Sequence, residues 1–279
     1  MSNHYPAHES FSRILQCLAC PRCGTELRPA EEVLRCASCE TSYPFSTDVF
    51  DMRPSARRET DETAWSQHWS DENQQILSQR FFSFYRKAVF SRTVQFFIER
   101  YFPPIGVFVE AGSGTSETSL RINKHDGARM LVATDVVLPV LERCHPVMDV
   151  RVCGDIFCFP FRADSIDGIW NVGVMEHFTH AEIDQILREF HRVLKPGGRV
   201  ILLWPGSNSV PQKILRVAEK IINLRARQAP FHFHPDEISQ LRSLREGREV
   251  LLRNGFQPLH LDTGLRSLLA FKILVGVKS

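Results

Sequence analysis

Two groups of residues in this 279-residue chain have types and spacings that could do chemistry. Cys20-Pro-Arg-Cys23 and Cys36-Ala-Ser-Cys39 are two C-x-x-C knuckles separated by twelve residues. Each knuckle can bring two thiolates to one ion, so the pair completes a tetrahedral four-sulfur site of the kind Zn²⁺ takes. Gly24 follows the first pair, where a knuckle turn often needs a positive φ. A redox pair is the alternative, but two pairs at this spacing favour metal. The second group runs from Val107 to Ser119. Val107 to Val109 read as a short buried strand, closed by Glu110. Gly112 and Gly114 let the backbone turn sharply and lie close to a ligand. Thr115, Ser116 and Thr118 are candidate N-caps for a following helix, expected over Thr118–Lys124. Strand, Gly-rich turn and helix make the first half of a nucleotide-binding βαβ unit.

The elements that must position these residues follow from hydrophobic periodicity. Thr25–Arg28 and Val33–Arg35 form a small hairpin between the knuckles. Apolar residues at near-helical spacing predict a helix over Arg86–Tyr101, stopped by Pro103-Pro104. Met130 to Asp135 is the second strand of the nucleotide unit. It ends in an acid 25 residues beyond Glu110, where a carboxylate can bind both hydroxyls of a ribose. A helix follows around Pro139–Cys144, then a third strand over Val147–Cys153, closed by Gly154-Asp155-Ile156. Ser165–Gly173 is the fourth strand. Glu182–Leu194 is a helix with Ile183, Ile186, Leu187, Phe190 and Leu194 inward. Lys195-Pro196-Gly197-Gly198 is a tight turn into an apolar strand, Arg199–Trp204. Asp236–Arg253 is the helix before a sixth strand at Gly255–Leu261, and Ser267–Lys278 is the last strand.

Composition limits the function classes. Formal charge is +2, so no global field draws the chain to nucleic acid or membrane. No apolar run approaches the roughly 20 residues of a membrane helix. The first ten residues lack the basic start and apolar core of a signal peptide, which points to the cytoplasm. In that compartment close cysteine pairs suggest metal rather than disulfides. Cys17 is surplus to a four-ligand site and reads as a buried thiol.

Ile14 to Met52 resembles the small zinc ribbon known as the Trm112-like family. The likeness is carried by Ile14-Leu15, Leu18, Cys20-Pro21-Arg22-Cys23-Gly24, Leu27, Leu34, Cys36, Cys39 and Tyr43-Pro44-Phe45. That family is often fused to, or partnered with, methyltransferases, so a protein partner through the ribbon is one implication. Residues 1–58 carry seven Lys/Arg against seven Asp/Glu, without the basic face of a nucleic-acid reader. A structural module that needs the metal as its staple is the favoured reading.

The ordered set Glu110-x-Gly112-x-Gly114, Asp135, Gly154-Asp155-Ile156, Asp167 to His177 and Glu189 to Gly198 resembles the class I S-adenosylmethionine-dependent methyltransferases. The nearest branch is the ubiquinone/menaquinone type. Ser116 stands where the third glycine of that family's loop would be. The resemblance implies an α/β, Rossmann-like seven-stranded sheet with helices on both faces, its last strand antiparallel. It makes 1–58 the zinc ribbon and 59–279 the methyltransferase domain, with a lid insertion at about 205–235. It implies that Glu110, Ala111, Gly112, Ser113 and Gly114 turn beneath S-adenosylmethionine and hold its methionine part. Asp135 and Val136 would take the ribose. Gly154, Asp155 and Ile156 would flank the adenine, and Asn171 and Val172 would sit at the end of the fourth strand.

Catalytic candidates are His177, Tyr85, His232 and His234. Glu176-His177 reads either as site floor or as a base, since a histidine titrates near neutrality. His232 and His234 lie on a loop near the expected pocket mouth and offer only half a metal-ligand set. Trp65, Trp69, Phe84 and Tyr85 read mainly as packing, with roofing of the pocket as the sharper alternative. Residues 211–228 carry five basic side chains against Glu219 and read as a lid, or as a segment that touches RNA or anionic lipid. The preferred expectation is methyl transfer to a small molecule, with zinc structural. Methylation of an RNA base and a noncatalytic zinc-ribbon adaptor are the alternatives.

Overall fold

The computed structural model describes residues 8–46, 49–53, 86–206 and 238–279. Tyr85, His232, His234, Trp65, Trp69, Phe84, the basic segment 211–228 and nearly all of the expected lid lie outside the described residues.

One sheet runs through the molecule. Its strands are β1 (Leu27–Ala30), β2 (Val33–Cys36), β3 (Ser42–Ser46), β4 (Val49–Asp51), β5 (Gly106–Ala111), β6 (Arg129–Asp135), β7 (Val150–Cys153), β8 (Ile166–Val172), β9 (Leu194–Pro205), β10 (Phe256–Asp262) and β11 (Phe271–Lys278). Their order is β1-β2-β3-β4-β7-β6-β5-β8-β9-β11-β10. β5 to β11 reproduce the expected seven strands, with β5 to β9 parallel and β11 antiparallel to β9 and β10. The count of seven is nevertheless too small. β4 pairs in parallel with β7, Phe50 opposite Val152, and carries the three antiparallel ribbon strands on as part of the same sheet. An exposed β7 edge would present unpaired backbone groups, and β4 covers it.

The parallel strands are apolar on both faces because both are covered. Every residue of β6 from Arg129 to Thr134 is buried. One face packs α4 (His180–Val193) and α5 (Leu244–Arg253), through Ile183, Ile186, Leu187, Phe190, Val250 and Leu251. The other packs α2 (Ser91–Tyr101), where Val94, Phe97 and Ile98 meet Phe108 and Trp170. α4 starts at a capping box, Thr179 with Glu182, and so begins two residues earlier than its apolar stripe implies. A short helix, α3 (Leu138–Glu142), follows β6. The first helix, α1 (His8–Cys17), precedes the knuckles. Its Ile14 and Cys17 share one apolar core with Leu18, Leu34, Tyr43 and Phe50 of the ribbon and Val152, Phe159 and Phe161 of the larger part. No helix among the described residues is long and apolar enough to cross a membrane.

Three expectations change in detail. Lys195 to Gly198 is looped out of the ladder, with Leu194 opposite Ile166 and Arg199 opposite Gly168. α5 begins at Leu244, after its Ser243 cap, rather than at Asp236. The helix expected over Thr118–Lys124 is absent. Residues 113–122 instead make successive i to i+3 turns, Ser116 N–H to Ser113 O (2.9 Å), Ser119 N–H to Ser116 O (3.0 Å) and Ile122 N–H to Ser119 O (3.0 Å). Serine and threonine hydroxyls compete with helical hydrogen bonds, and this stretch is dense in them.

Candidate functional site

The loop after β5 is held by side chains rather than by a helix N-terminus. Gly112 and Gly114 have φ of +66° and +51°. A Cβ on Gly112 would sit 2.7 Å from Val174 Cγ2, so both conformation and space require glycine there. The Gly114 N–H donates to Asp135 Oδ2 at 2.9 Å, and the Val137 N–H to Asp135 Oδ1 at 3.0 Å. Each Asp135 oxygen keeps lone pairs beyond its one backbone bond. Burial pushes this carboxyl above the usual range, against the pull of the Val137, Gly114 and Val136 N–H groups.

Glu110 is buried beneath the loop at 2% exposure. Thr118 Oγ1 donates to its Oε1 at 3.1 Å, a contact with no warning in the sequence beyond the expected cap. Among the described residues, Oε2 is enclosed without a hydrogen bond of normal geometry. Burial pushes the Glu110 carboxyl up to about 7, although the Ser116, Ser119 and Thr118 hydroxyls and the Trp170 indole draw it down. The side chain therefore supports the loop from within the fold.

Ser116 has φ +54° and is 1% exposed. The place of the third glycine thus keeps the left-handed backbone that glycine would supply, and Cys144 Sγ bonds its hydroxyl at 3.2 Å. A left-handed non-glycine residue costs roughly 1–2 kcal/mol, which we set above the hydroxyl's contacts with Cys144 Sγ and the enclosed Glu110 carboxyl. Ser116→Gly should therefore stabilise the protein by about 0.5–1 kcal/mol, read as a higher denaturant midpoint. A lower midpoint would mean that the hydroxyl outweighs the backbone.

At the neighbouring strand end, Gly154 N–H donates to Asp135 O at 2.9 Å, which sets the two expected acid positions side by side. Asp155 is buried and caps the 3-10 turn Ile156–Cys158, accepting from the Phe157 N–H at 2.8 Å. Ile156 is half-buried beside it. Asn171, near the end of β8, is fully buried, and neither amide atom has a hydrogen-bond partner among the described residues. Val172 follows it, half-buried. Met175–His177 form a 3-10 turn directly after β8. His177 Nε2 lies 3.8 Å from Glu176 Oε1, and the Ile238 and Ser239 N–H groups donate to Glu176 O at 2.7 and 3.0 Å. The loop Ala111–Gly114, Asp135-Val136, Gly154–Ile156, Asn171-Val172 and His177 all follow the carboxyl ends of parallel strands, where open α/β sheets bind ligands.

The four knuckle cysteines converge as their spacing implies. All their sulfurs lie within 4.8 Å of one another, with Cys20–Cys39 at 3.6 Å and Cys23–Cys36 at 3.4 Å. Zn–S bonds of about 2.3 Å in a tetrahedron put sulfurs about 3.8 Å apart. The Ser38 and Cys39 N–H groups donate to Cys36 Sγ at 3.4 Å. Tyr43, which burial keeps protonated, bonds Cys20 Sγ at 3.1 Å and supplies the outer-shell hydrogen bond that orients a ligand. Cys17 is buried outside the cluster, as expected.

Comparison with known proteins agrees with this geometry. Residues 109–202 match the family described as "Methyltransferase domain". This part of the chain is similar to a methyltransferase domain. The match begins in β5 and ends in β9, so it spans the Gly loop, both acid positions and Asn171. The chain is 34% identical over 104 residues to the biotin biosynthesis bifunctional protein BioHC of Cellvibrio japonicus, covering 36% of this chain and 20% of that protein. It is 24% identical over 165 residues to the malonyl-[acyl-carrier protein] O-methyltransferase of a Methylovorus strain, covering 55% of this chain and 51% of that one. The chain thus spans from about a fifth to just over half of the length of the curated relatives it matches. A solved SAM-dependent methyltransferase from Thermotoga maritima superposes with a TM-score of 0.51 at 16% identity, over 73% of this chain and 96% of that one. That likeness supports the methyltransferase fold.

Proposed function

We propose that the chain is an S-adenosylmethionine-dependent methyltransferase acting on a small molecule, with a structural zinc in its ribbon. The observation that carries this reading is the Gly112–Gly114 loop seated on Asp135, with Asp155 on the adjacent strand end. The residues fit the cofactor. Asp135 has acceptor capacity for two ribose hydroxyls, Asp155 and Ile156 suit an adenine edge and face, and Asn171 holds a buried amide that lacks partners among the described residues. Bound S-adenosylmethionine supplies a methyl already activated on a sulfonium. The chain's own contribution is then alignment and exclusion of water. Glu110 and the loop backbone set the floor, and His177 is the described candidate to accept a proton from an acceptor that must lose one.

The donor set of four cysteines with no carboxylate or imidazole suits zinc, and four sulfurs leave no open position for catalysis. Metal analysis should find one zinc per chain. The near-neutral charge supports a small-molecule acceptor. RNA affinity that falls steeply with salt, and is lost when Lys213, Arg216 and Lys220 are neutralised, would favour a nucleic-acid substrate instead.

Asp135→Ala tests the cofactor assignment. It should weaken binding of S-adenosylmethionine by roughly 1–3 kcal/mol, the scale for hydrogen bonds to a charged group. Calorimetric titration measures it, and unchanged affinity would refute the ribose role.

A further inference from the structure

The ribbon's last strand delivers a buried ion pair to the carboxyl edge of the sheet, beside the ribose position. Asp51 ends β4, and Arg53, 4% exposed, lies two residues beyond. Arg53 Nε donates to Asp51 Oδ1 and Nη2 to Asp51 Oδ2, each at 3.0 Å, a bidentate fork. The Arg53 backbone N–H also donates to Asp51 Oδ1, at 3.2 Å. Nη1, outside the fork, donates to the Val136 carbonyl at 3.4 Å. Cys153 Sγ approaches the same carbonyl at 3.4 Å.

We infer that Arg53, oriented by Asp51, is a positioning residue that sets the ribose-binding turn Asp135–Val137 from the zinc-ribbon side. The inference rests on the proposed reading that this turn takes the cofactor. Val136 C=O and Val137 N–H belong to one planar peptide unit. Gripping the oxygen on one side therefore aims the N–H on the other, and that N–H is the group holding Asp135 Oδ1 at 3.0 Å. Two further bonds tie the same edge together. Met52 N–H donates to Cys153 O at 2.7 Å and Gly154 N–H to Asp135 O at 2.9 Å. The β4 tail, the β7 end and the β6 end thus move as one unit, which carries both Asp135 and Asp155. A buried ion pair is in general weak evidence for stability. This one is placed to fix geometry instead, since a bidentate guanidinium has a set plane that an ammonium lacks.

The experiment is a two-by-two cycle on the intact zinc-loaded chain, with S-adenosylhomocysteine as the calorimetric probe. Arg53→Gln should raise Kd about tenfold in the parent with one zinc per chain retained. In the Asp135→Ala background the same change should have little further effect, because the residue through which it acts is gone. Arg53→Lys, which keeps the charge and loses the fork, should behave like Arg53→Gln and serves where the glutamine variant folds poorly. Unchanged affinity in the parent, or a tenfold loss that persists without the Asp135 carboxylate, would overturn the positioning role. A parent chain that binds no S-adenosylhomocysteine would overturn the cofactor reading along with it.

Discussion

Cys36→Ser should release the metal and destabilise the whole chain, not the ribbon alone. Cys36 is 1% exposed and closes β2, where its sulfur accepts the two knuckle N–H groups. A structural zinc contributes on the order of 10 kcal/mol or more to small metal-stapled modules. Here the loss would spread, because ribbon and methyltransferase domain share a sheet and a core. Ala19 N–H donates to Pro160 O at 3.0 Å, Arg162 N–H to Cys17 O at 2.7 Å and Met52 N–H to Cys153 O at 2.7 Å. The first two of these bonds make the antiparallel Leu18–Phe161 bridge. We expect a single unfolding transition shifted down by at least about 3 kcal/mol, roughly 5 °C at this chain length. Calorimetry of the parent and variant would measure it. A main transition at unchanged temperature, with only a small early one lost, would mean that the ribbon folds as an independent unit.

Glu110→Gln should change how stability depends on pH. Burial holds the native carboxyl at about 7, well above its ordinary 4.5, so the folded state binds the proton more tightly than the unfolded state. The sign follows from linkage. Below about 4.5 both states are protonated and the group contributes nothing. As pH rises from there through about 7, the unfolded chain ionises freely while the native chain must ionise in a dry site, and stability falls. The full difference is roughly 3 kcal/mol above pH 7. The glutamine variant lacks this loss. It should be more stable than the parent at pH 8, by a margin that shrinks toward pH 5, in urea melts at both pH values. An equal difference at the two pH values would contradict the burial account.

Much of the site was legible in the sequence because it rests on local signals. The paired cysteines gave their own geometry. Gly112 and Gly114 needed positive φ, and the apolar runs ending in Glu110, Asp135 and Cys153 located the strand ends. Three features had no such signal. The parallel pairing of Val49–Asp51 with Val150–Cys153 joins segments about 100 residues apart, and nothing in either run names the other. Arg53 follows that pairing, and no motif in the sequence singles it out. The βαβ pattern implies a helix after Gly114, and the hydroxyl-rich run Thr115 to Ser119 overrides it. Ser116 shows the opposite case. Its departure from the glycine pattern leaves the backbone in the conformation the pattern requires.

The central claim is that the loop on Asp135 binds a methyl donor. The most direct test is calorimetric titration of the zinc-loaded chain with S-adenosylmethionine and with S-adenosylhomocysteine. We expect saturable binding of each at one site per chain, with Kd in the range of about 1 μM to 1 mM typical of enzyme substrates. No saturable binding of either compound up to about 1 mM, by a chain that is folded and carries its metal, would contradict it.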